Sequence, residues 1–358
     1  MARKITREIT REISREISGL VLNEIKSEAG HNITQTEKRK MITVNKQSGK
    51  NYKVLVLPDV QLVLDDVRKK NDVFTIAFNT ITELENKVKP DLVVLLGDLS
   101  NGYSPDVYTT IGDFIEGFGA DWTLVWGNHD NQGGAEFIEN VSDVFLARYK
   151  KFRFEKGDKK LGNGNFVIEV KNGEKTVSGL IFMDTHDRDY IDGAEYWAKL
   201  DENQAVWYKN EINALKAKGC FNDALFMHIP FLAYRDAFDA AIKPEYANEK
   251  ISVEQSSDEK IWNDGYKNST GVKYESISAH PADDFFKYVC GNGMKNYVFA
   301  GHDHVNNYII DYRGVKLIYA LKTGIGCYFS HDLCGGTVLE ISDDGVDKVY
   351  HEFAVQNK

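Results

Sequence analysis

Cysteine is scarce: the chain has four in 358 residues (Cys220, Cys290, Cys327 and Cys334), and no two are spaced as a CxxC pair. That excludes a disulfide scaffold and a thiolate zinc knot. Long apolar runs are missing too, since no stretch approaches the ~18 consecutive apolar residues of a membrane span. The N-terminus is charged from Arg3 to Glu16 and shows no apolar h-region, so no secretory signal is read and a cytoplasmic protein is expected. Positive charge is in the minority. Lys+Arg number 44 against 54 Asp+Glu, a net charge of −10, which argues against non-specific nucleic-acid binding. No stretch rich in proline, glycine or serine divides residues 45–355, so they read as one domain. Hydrophobic residues at 42% and charged residues at 27% exclude a disordered chain and leave an ordinary globular one.

The first 44 residues read differently. Residues 5–18 repeat Ile, hydroxyl, Arg, Glu, which puts Ile5, Ile9, Ile13 and Ile17 on one helical face. Residues 1–40 hold nine Lys/Arg and six Glu, a net +3. The expectation is a charged helical arm over 1–44 that is solvated or that docks or self-associates.

From residue 52 the pattern becomes β-α-β-α-β-α. Apolar runs at 52–57, 91–96 and 122–126 alternate with helical patterns at 69–88, 105–118 and 134–149. Continuous apolar runs of this length suit parallel strands buried on both faces. Strands are expected next at 166–170 and 178–184, then a helix at 201–218 and a strand at 224–228. A polar, irregular stretch at 233–280 reads as an insertion at the rim of the domain. After a helix at 281–290 come a strand at 296–300 and four more near 306–312, 315–321, 336–342 and 346–354, which look antiparallel.

The chemistry lies where these strands end. Pro58-Asp59-Val60-Gln61 follows the first, Gly97-Asp98 the second, and Gly127-Asn128-His129-Asp130 the third. The strand at 224–227 ends at His228, and the one at 296–300 runs into Gly301-His302-Asp303-His304. In parallel α/β sheets such loops meet in one crevice. Carboxylate, imidazole and amide oxygen together suit borderline to hard metals rather than soft thiolate sites. There are too many donors for one tetrahedral ion. Two ions sharing a bridging carboxylate use them all, and paired ions ~3.5–4 Å apart serve in-line displacement at phosphorus.

These five blocks, in order and over residues 54–304, resemble those of the calcineurin-like metallophosphoesterases, nearest the purple-acid-phosphatase-like single-domain branch. The resemblance implies a four-layer α/β/β/α sandwich with two mixed sheets. It implies two di- or trivalent ions (Mn, Fe or Zn, with Mn and Fe favoured) and a phosphate-ester substrate. Asp59, Gln61 and His304 would hold the first ion, Asp98 would bridge, and Asn128, His228 and His302 would hold the second. His129 would be the general acid, steadied by Asp130, while Asn128, His129 and Arg188 would contact substrate. The implied reaction is phosphomonoester hydrolysis by a metal-activated hydroxide.

Two positions depart from that pattern. Gln61 stands where the family usually has histidine, which should weaken the first ion's site and favour Mn, Fe or Mg over Zn. Asn101 stands where the purple enzymes carry tyrosine, so no purple colour is expected. Phosphodiester or phosphoprotein hydrolysis is the alternative with the same site. A catalytically weak phosphate-binding module is the alternative from another class, motivated by Gln61.

Overall fold

The computed structural model describes residues 41–355. The expected arm, over its residues 1–40, lies outside the described residues. Fourteen strands appear among those described. They are β1 (Ile42–Asn45), β2 (Tyr52–Leu57), β3 (Leu92–Leu96), β4 (Asp121–Val125), β5 (Phe166–Asn172), β6 (Lys175–Phe182), β7 (Arg188–Ile191) and β8 (Ala194–Trp197). The series continues with β9 (Asn222–Phe226), β10 (Lys295–Ala300), β11 (Ile309–Tyr312), β12 (Val315–Tyr319), β13 (Gly335–Ser342) and β14 (Gly345–Phe353).

One mixed sheet has the order β1-β5-β6-β9-β10-β12-β11, and the other β14-β13-β2-β3-β4. The parallel order β2-β3-β4 is the β-α-β-α-β unit read from the sequence. β3, with all five residues buried, shows why its sequence is continuously apolar. β13 and β14 add an antiparallel edge to it.

Helices cover both outer faces. α1 (Leu64–Lys69), α2 (Asp72–Val88), α3 (Pro105–Glu116), α4 (Asn128–Asn131) and α5 (Ala135–Arg148) follow the first three parallel strands. α6 (Glu202–Ala217), α7 (Ala233–Ala241) and α8 (Phe286–Val289) follow later ones. α2 packs on β2 and β13, and α3 on β4. Ile212 and Leu215 of α6 join Ile181 and Leu225 in a second core on the outer face of the larger sheet. The main core lies between the sheets, and the chain forms the four-layer α/β/β/α sandwich. Its spine is a ladder of stacked rings, Phe166–Phe182–Phe226–Phe299, with centroids 4.7, 5.0 and 4.8 Å apart. That spacing is the distance between neighbouring strands, so aligned phenylalanines on β5, β6, β9 and β10 stack by register.

Three local readings need correction. The helix expected over 69–88 starts at Asp72, where Asn71 caps it by accepting from Phe74 N, and a short helix not foreseen, Leu64–Lys69, precedes it and ends where Lys70 turns left-handed (φ 47°). β1 begins at Ile42 and pairs with β5, so the larger sheet starts inside the boundary expected for the arm. The hairpin β7–β8 was not foreseen, although its Asp192-Gly193 turn, with φ of 51° and 79°, is a standard hairpin signal. Residues 233–280 carry α7 and otherwise only short turns. They are tied to the chain after β10 through bridges Thr270–Ile309 and Lys273–Asn306. Among the described residues no helix is long and apolar enough to cross a membrane.

Candidate metal centre

The loops after β2 and β3 stay laced beyond the strand ends. Asp59 N donates to Gly97 O at 3.0 Å, Gln61 N to Asp98 O at 3.0 Å and Leu62 N to Leu99 O at 3.2 Å. Asp59 (φ 57°), Gln61 (φ 50°), Asp98 (φ 51°) and His302 (φ 74°) all sit in the left-handed region. That conformation costs about 1–2 kcal/mol for a residue with a Cβ, and the lacing offsets it.

Two ligand groups form there and share one residue. Asp98, His228 and His302 make one, and Asp59, Asp98 and His304 the other, with donor atoms within 4.8 Å of one another and every residue buried. The histidines are aimed by their outer nitrogens. His228 Nδ1 donates to Leu96 O at 2.8 Å and His304 Nδ1 to Tyr328 O at 2.9 Å. A carbonyl only accepts, so the hydrogen sits on Nδ1 and Nε2 is directed inward. His228 Nε2 lies 3.3 Å from Asp98 Oδ1, and His304 Nε2 lies 3.4 Å from Asp59 Oδ1. His302 presents Nδ1 instead, 2.8 Å from Asn128 Oδ1.

Two of these atoms lack an obvious partner. Asp59 Oδ1 and His228 Nε2 are buried without a hydrogen bond. An orphaned buried polar atom is costly, and a pair of them around carboxylates fits bound cations. The electrostatics agree. Burial alone would lower His228, but Asp98 and Asp59 outweigh it and raise it to about 10. Burial and the neighbouring His228 push His302 down to about 3. Burial would raise Asp59, yet His304, His228 and Lys322 hold it well below the usual carboxylate range. The cavity demands positive charge at its centre, and the donors fit two metal ions.

The turn after β4 distributes its side chains by direction. Asn128 faces His302. His129 N donates to Asp98 Oδ1 at 2.9 Å, while its ring is part-exposed with Nε2 3.9 Å from Asp98 Oδ2. Asp130 is not where the expectation put it. Its carboxylate makes no contact with the His129 ring and accepts from Gly127 N (2.9 Å), Leu99 N (3.1 Å) and Tyr108 OH (2.8 Å). It therefore ties the Asp98 loop to the Asn128 loop. Burial and the charge of Asp98 raise it to about 7.

Of the other candidates, Gln61 reaches the centre but with its amide turned. Oε1 accepts from Lys322 Nζ at 2.8 Å, and Nε2 donates to Asp98 Oδ2 at 3.3 Å. Arg188 stays outside the ligand groups. Its guanidinium pairs with Glu195 at 2.9 Å and lies over the Trp197 ring, 3.3 Å from the centroid. Trp197 in turn meets the His302 ring edge-on at 4.4 Å. Gly324 and Gly326 serve close approach: an added Cβ would meet Val60 O at 2.2 Å and Gln61 O at 2.1 Å.

Sequence reasoning missed Lys322, Tyr328 and Trp197. Lys322 carried a usable signal, a charge that closes the apolar run Leu317–Leu321. Tyr328 gave none, since it acts through its carbonyl and through a ring stacked on His304 at 4.2 Å.

Two buried groups of candidate metal ligands thus share one carboxylate at the strand ends of a double-sheet sandwich. Residues 52–306 match the sequence model of the Calcineurin-like phosphoesterase family, and the chain belongs to that family. It is 24% identical over 323 residues to probable inactive purple acid phosphatase 14 of Arabidopsis thaliana, covering 77% of this chain and 71% of that one. It is 26% identical over 227 residues to phosphatase DCR2 of Saccharomyces cerevisiae, covering 60% of this chain and only 35% of the yeast protein's length. Among solved structures, purple acid phosphatase PPD1 from yellow lupin is similar at TM-score 0.41 and 9% identity, over 86% of this chain and 55% of that one.

Proposed function

We propose that this chain hydrolyses phosphate esters, with monoesters favoured, at a centre of two metal ions. The observation that carries the reading is the pair of ligand groups sharing Asp98. Asp59, Asp98 and His304 would hold the first ion, and Asp98, Asn128, His228 and His302 the second. Bound there, the ions supply Lewis-acid activation of the phosphoryl group and of the attacking water.

The chain's own residues do the rest. His129 is the proton donor to the leaving oxygen. Its main-chain N–H is held by Asp98, so its part-exposed ring is fixed beside the bridge yet open to substrate. Asp130 keeps that turn in register with the Asp98 loop. Trp197 walls the open side next to His302.

A non-catalytic phosphate-binding module is the second reading, favoured by Gln61 and by relatives named probable inactive phosphatases. A pure binder has no use for His129, so His129→Ala separates the two. Hydrolysis of an ester with a poor leaving group falls by about two to four powers of ten, the usual size of a general-acid contribution, while elemental analysis still finds both ions. Unchanged turnover removes His129 from the role. Absence of turnover in the metal-loaded wild type, across monoesters and diesters, favours the binding module.

A further inference from the structure

The loop of Asp59 and Gln61 is backed by residues 321–326, and that segment brings a lysine to the centre. Lys322 is 1% exposed. Its Nζ donates to the main-chain oxygen of Asp59 at 3.0 Å and to Gln61 Oε1 at 2.8 Å. The other arm of the amide, Nε2, donates to Asp98 Oδ2 at 3.3 Å. Chemistry fixes that orientation. An ammonium only donates and a carboxylate only accepts, so the amide oxygen must face Lys322 and its nitrogen must face Asp98. An NH₂ group cannot ligate a cation. Gln61, held this way, is a hydrogen-bond donor to the bridging carboxylate.

The lysine has little freedom to withdraw. Thr323 N donates to Pro58 O at 3.0 Å and Gly324 N to Asp59 O at 3.3 Å. Gly324 and Gly326 press against Val60 O and Gln61 O with no room for a Cβ. The result is a buried positive charge fixed beside Asp59 on the first ion's side. Among the described residues no buried lysine or arginine stands against the second ion's side, where Asn128, His228 and His302 would be neutral donors with metal bound.

We propose that Lys322 is a charge-setting and positioning residue for the first metal site. It turns Gln61 out of the coordination shell, leaves Asp59, Asp98 and His304 as the protein ligands, and opposes the incoming cation. The first ion is therefore the more weakly held and the more readily exchanged of the two. In the absence of metal the same ammonium is a counter-charge for the buried carboxylates. This inference rests on the reading that the centre binds two ions.

The test uses metal-free full-length protein titrated with Mn²⁺ by calorimetry, with metal content per chain and thermal melting as further readouts. The wild type is expected to bind two ions in two steps of different affinity. Lys322→Met tightens the weaker step by about tenfold or more, because a like charge has gone from a site of low dielectric, and leaves the stronger step within about threefold. Lys322→Arg keeps the weaker step weak. Metal-free Lys322→Met melts below metal-free wild type, and Mn²⁺ raises its melting temperature by more than it raises the wild type's. A merely structural lysine would lower both forms together.

Two ions bound with the weaker step unchanged or weaker in Lys322→Met overturns the proposal. Gln61→Leu gives an independent arm if the lysine variant does not fold. A weaker step within about threefold of wild type supports Gln61 outside the shell, and a loss of about tenfold or more in that step makes it a ligand and overturns the proposal. No Mn²⁺ bound by any variant, wild type included, is a different failure, that of the metal-centre reading itself.

Discussion

The two halves of the metal centre share Asp98 and are otherwise built on different plans. The second half is assembled from strand ends of both sheets: Asp98 after β3, Asn128 after β4, His228 after β9 and His302 after β10. Its outer contacts come mainly from the main chain, as where Leu96 O aims His228. The first half leans on loops. His304 is aimed by a carbonyl in the 324–330 loop and stacked on Tyr328, and Lys322 donates to the main-chain oxygen of Asp59 and to Gln61 Oε1. On the proposed reading the second ion's ligands rest on strand ends, whereas the first ion's ligands also meet Lys322 and the 324–330 loop. Gln61, where the resemblance leads one to expect histidine, stands in that first half.

The comparison can be broken most thoroughly at the residue both halves use. Asp98→Asn removes one negative charge and the bridge, and Mn²⁺ affinity is expected to fall in both steps by more than about 100-fold, beyond the loss typical of an outer partner. Elemental analysis finding two ions in that variant would overturn the bridging assignment. Asp130→Ala acts on both halves through the fold. It leaves the buried N–H groups of Gly127 and Leu99 and the Tyr108 hydroxyl without their acceptor. At about 1–3 kcal/mol for each buried donor left unpaired, the variant should lose about 3 kcal/mol or more in urea unfolding of the metal-free protein. A loss within 0.5 kcal/mol, the ordinary range for a surface change, would mean the loops are held by something else.

Tyr328→Ala sharpens the comparison because it touches one half only. It removes the ring stacked on His304 but keeps the carbonyl. The weaker Mn²⁺ step should weaken by up to about tenfold and the stronger step stay put, the lower end of the range for an outer partner. Equal loss in both steps would erase the distinction between the halves.

An effect outside both halves is one of pH. His351 Nδ1 accepts from Thr337 Oγ1 at 3.0 Å, and its Nε2 donates to Asn307 O at 2.6 Å, three residues after His304. Burial pushes this imidazole down to about 4. The unfolded chain protonates it near pH 6.5, so below that the unfolded state binds more protons. Its contribution to stability is complete above about pH 6.5 and declines as the pH falls toward 4. His351→Gln should flatten that part of the stability profile, and an unaltered slope would place the pH sensitivity elsewhere.

The architecture was legible because each parallel strand is written as an uninterrupted apolar run ending in polar residues, as in Leu92–Leu96 followed by Gly97-Asp98. The ligand clusters were legible because turn chemistry alone does not call for histidine and aspartate at every such end. What stayed hidden acts through geometry rather than residue type. Tyr328 offers a main-chain oxygen, which any residue has. Asp130 looked like a partner for its neighbour His129, but adjacent residues on a helical turn point apart. Gln61 looked like a feeble ligand because Lys322, 261 positions away, is brought to it only by the fold.

The turn Asn128–Asn131 carries a last consequence. Four successive side chains leave it about 100° apart: Asn128 toward His302, His129 toward the opening, Asp130 into the interior, and Asn131 toward Asp184 at 3.0 Å. Such a turn works like a compass card, in which each bearing depends on the count of residues before it. Exchanging one residue can retune one bearing while the other three stay true. Inserting or deleting one would rotate all of them at once; an insertion ahead of the turn would send Asn128 to the opening and His129 into the interior. The segment is therefore open to gradual chemical change and closed to changes in length.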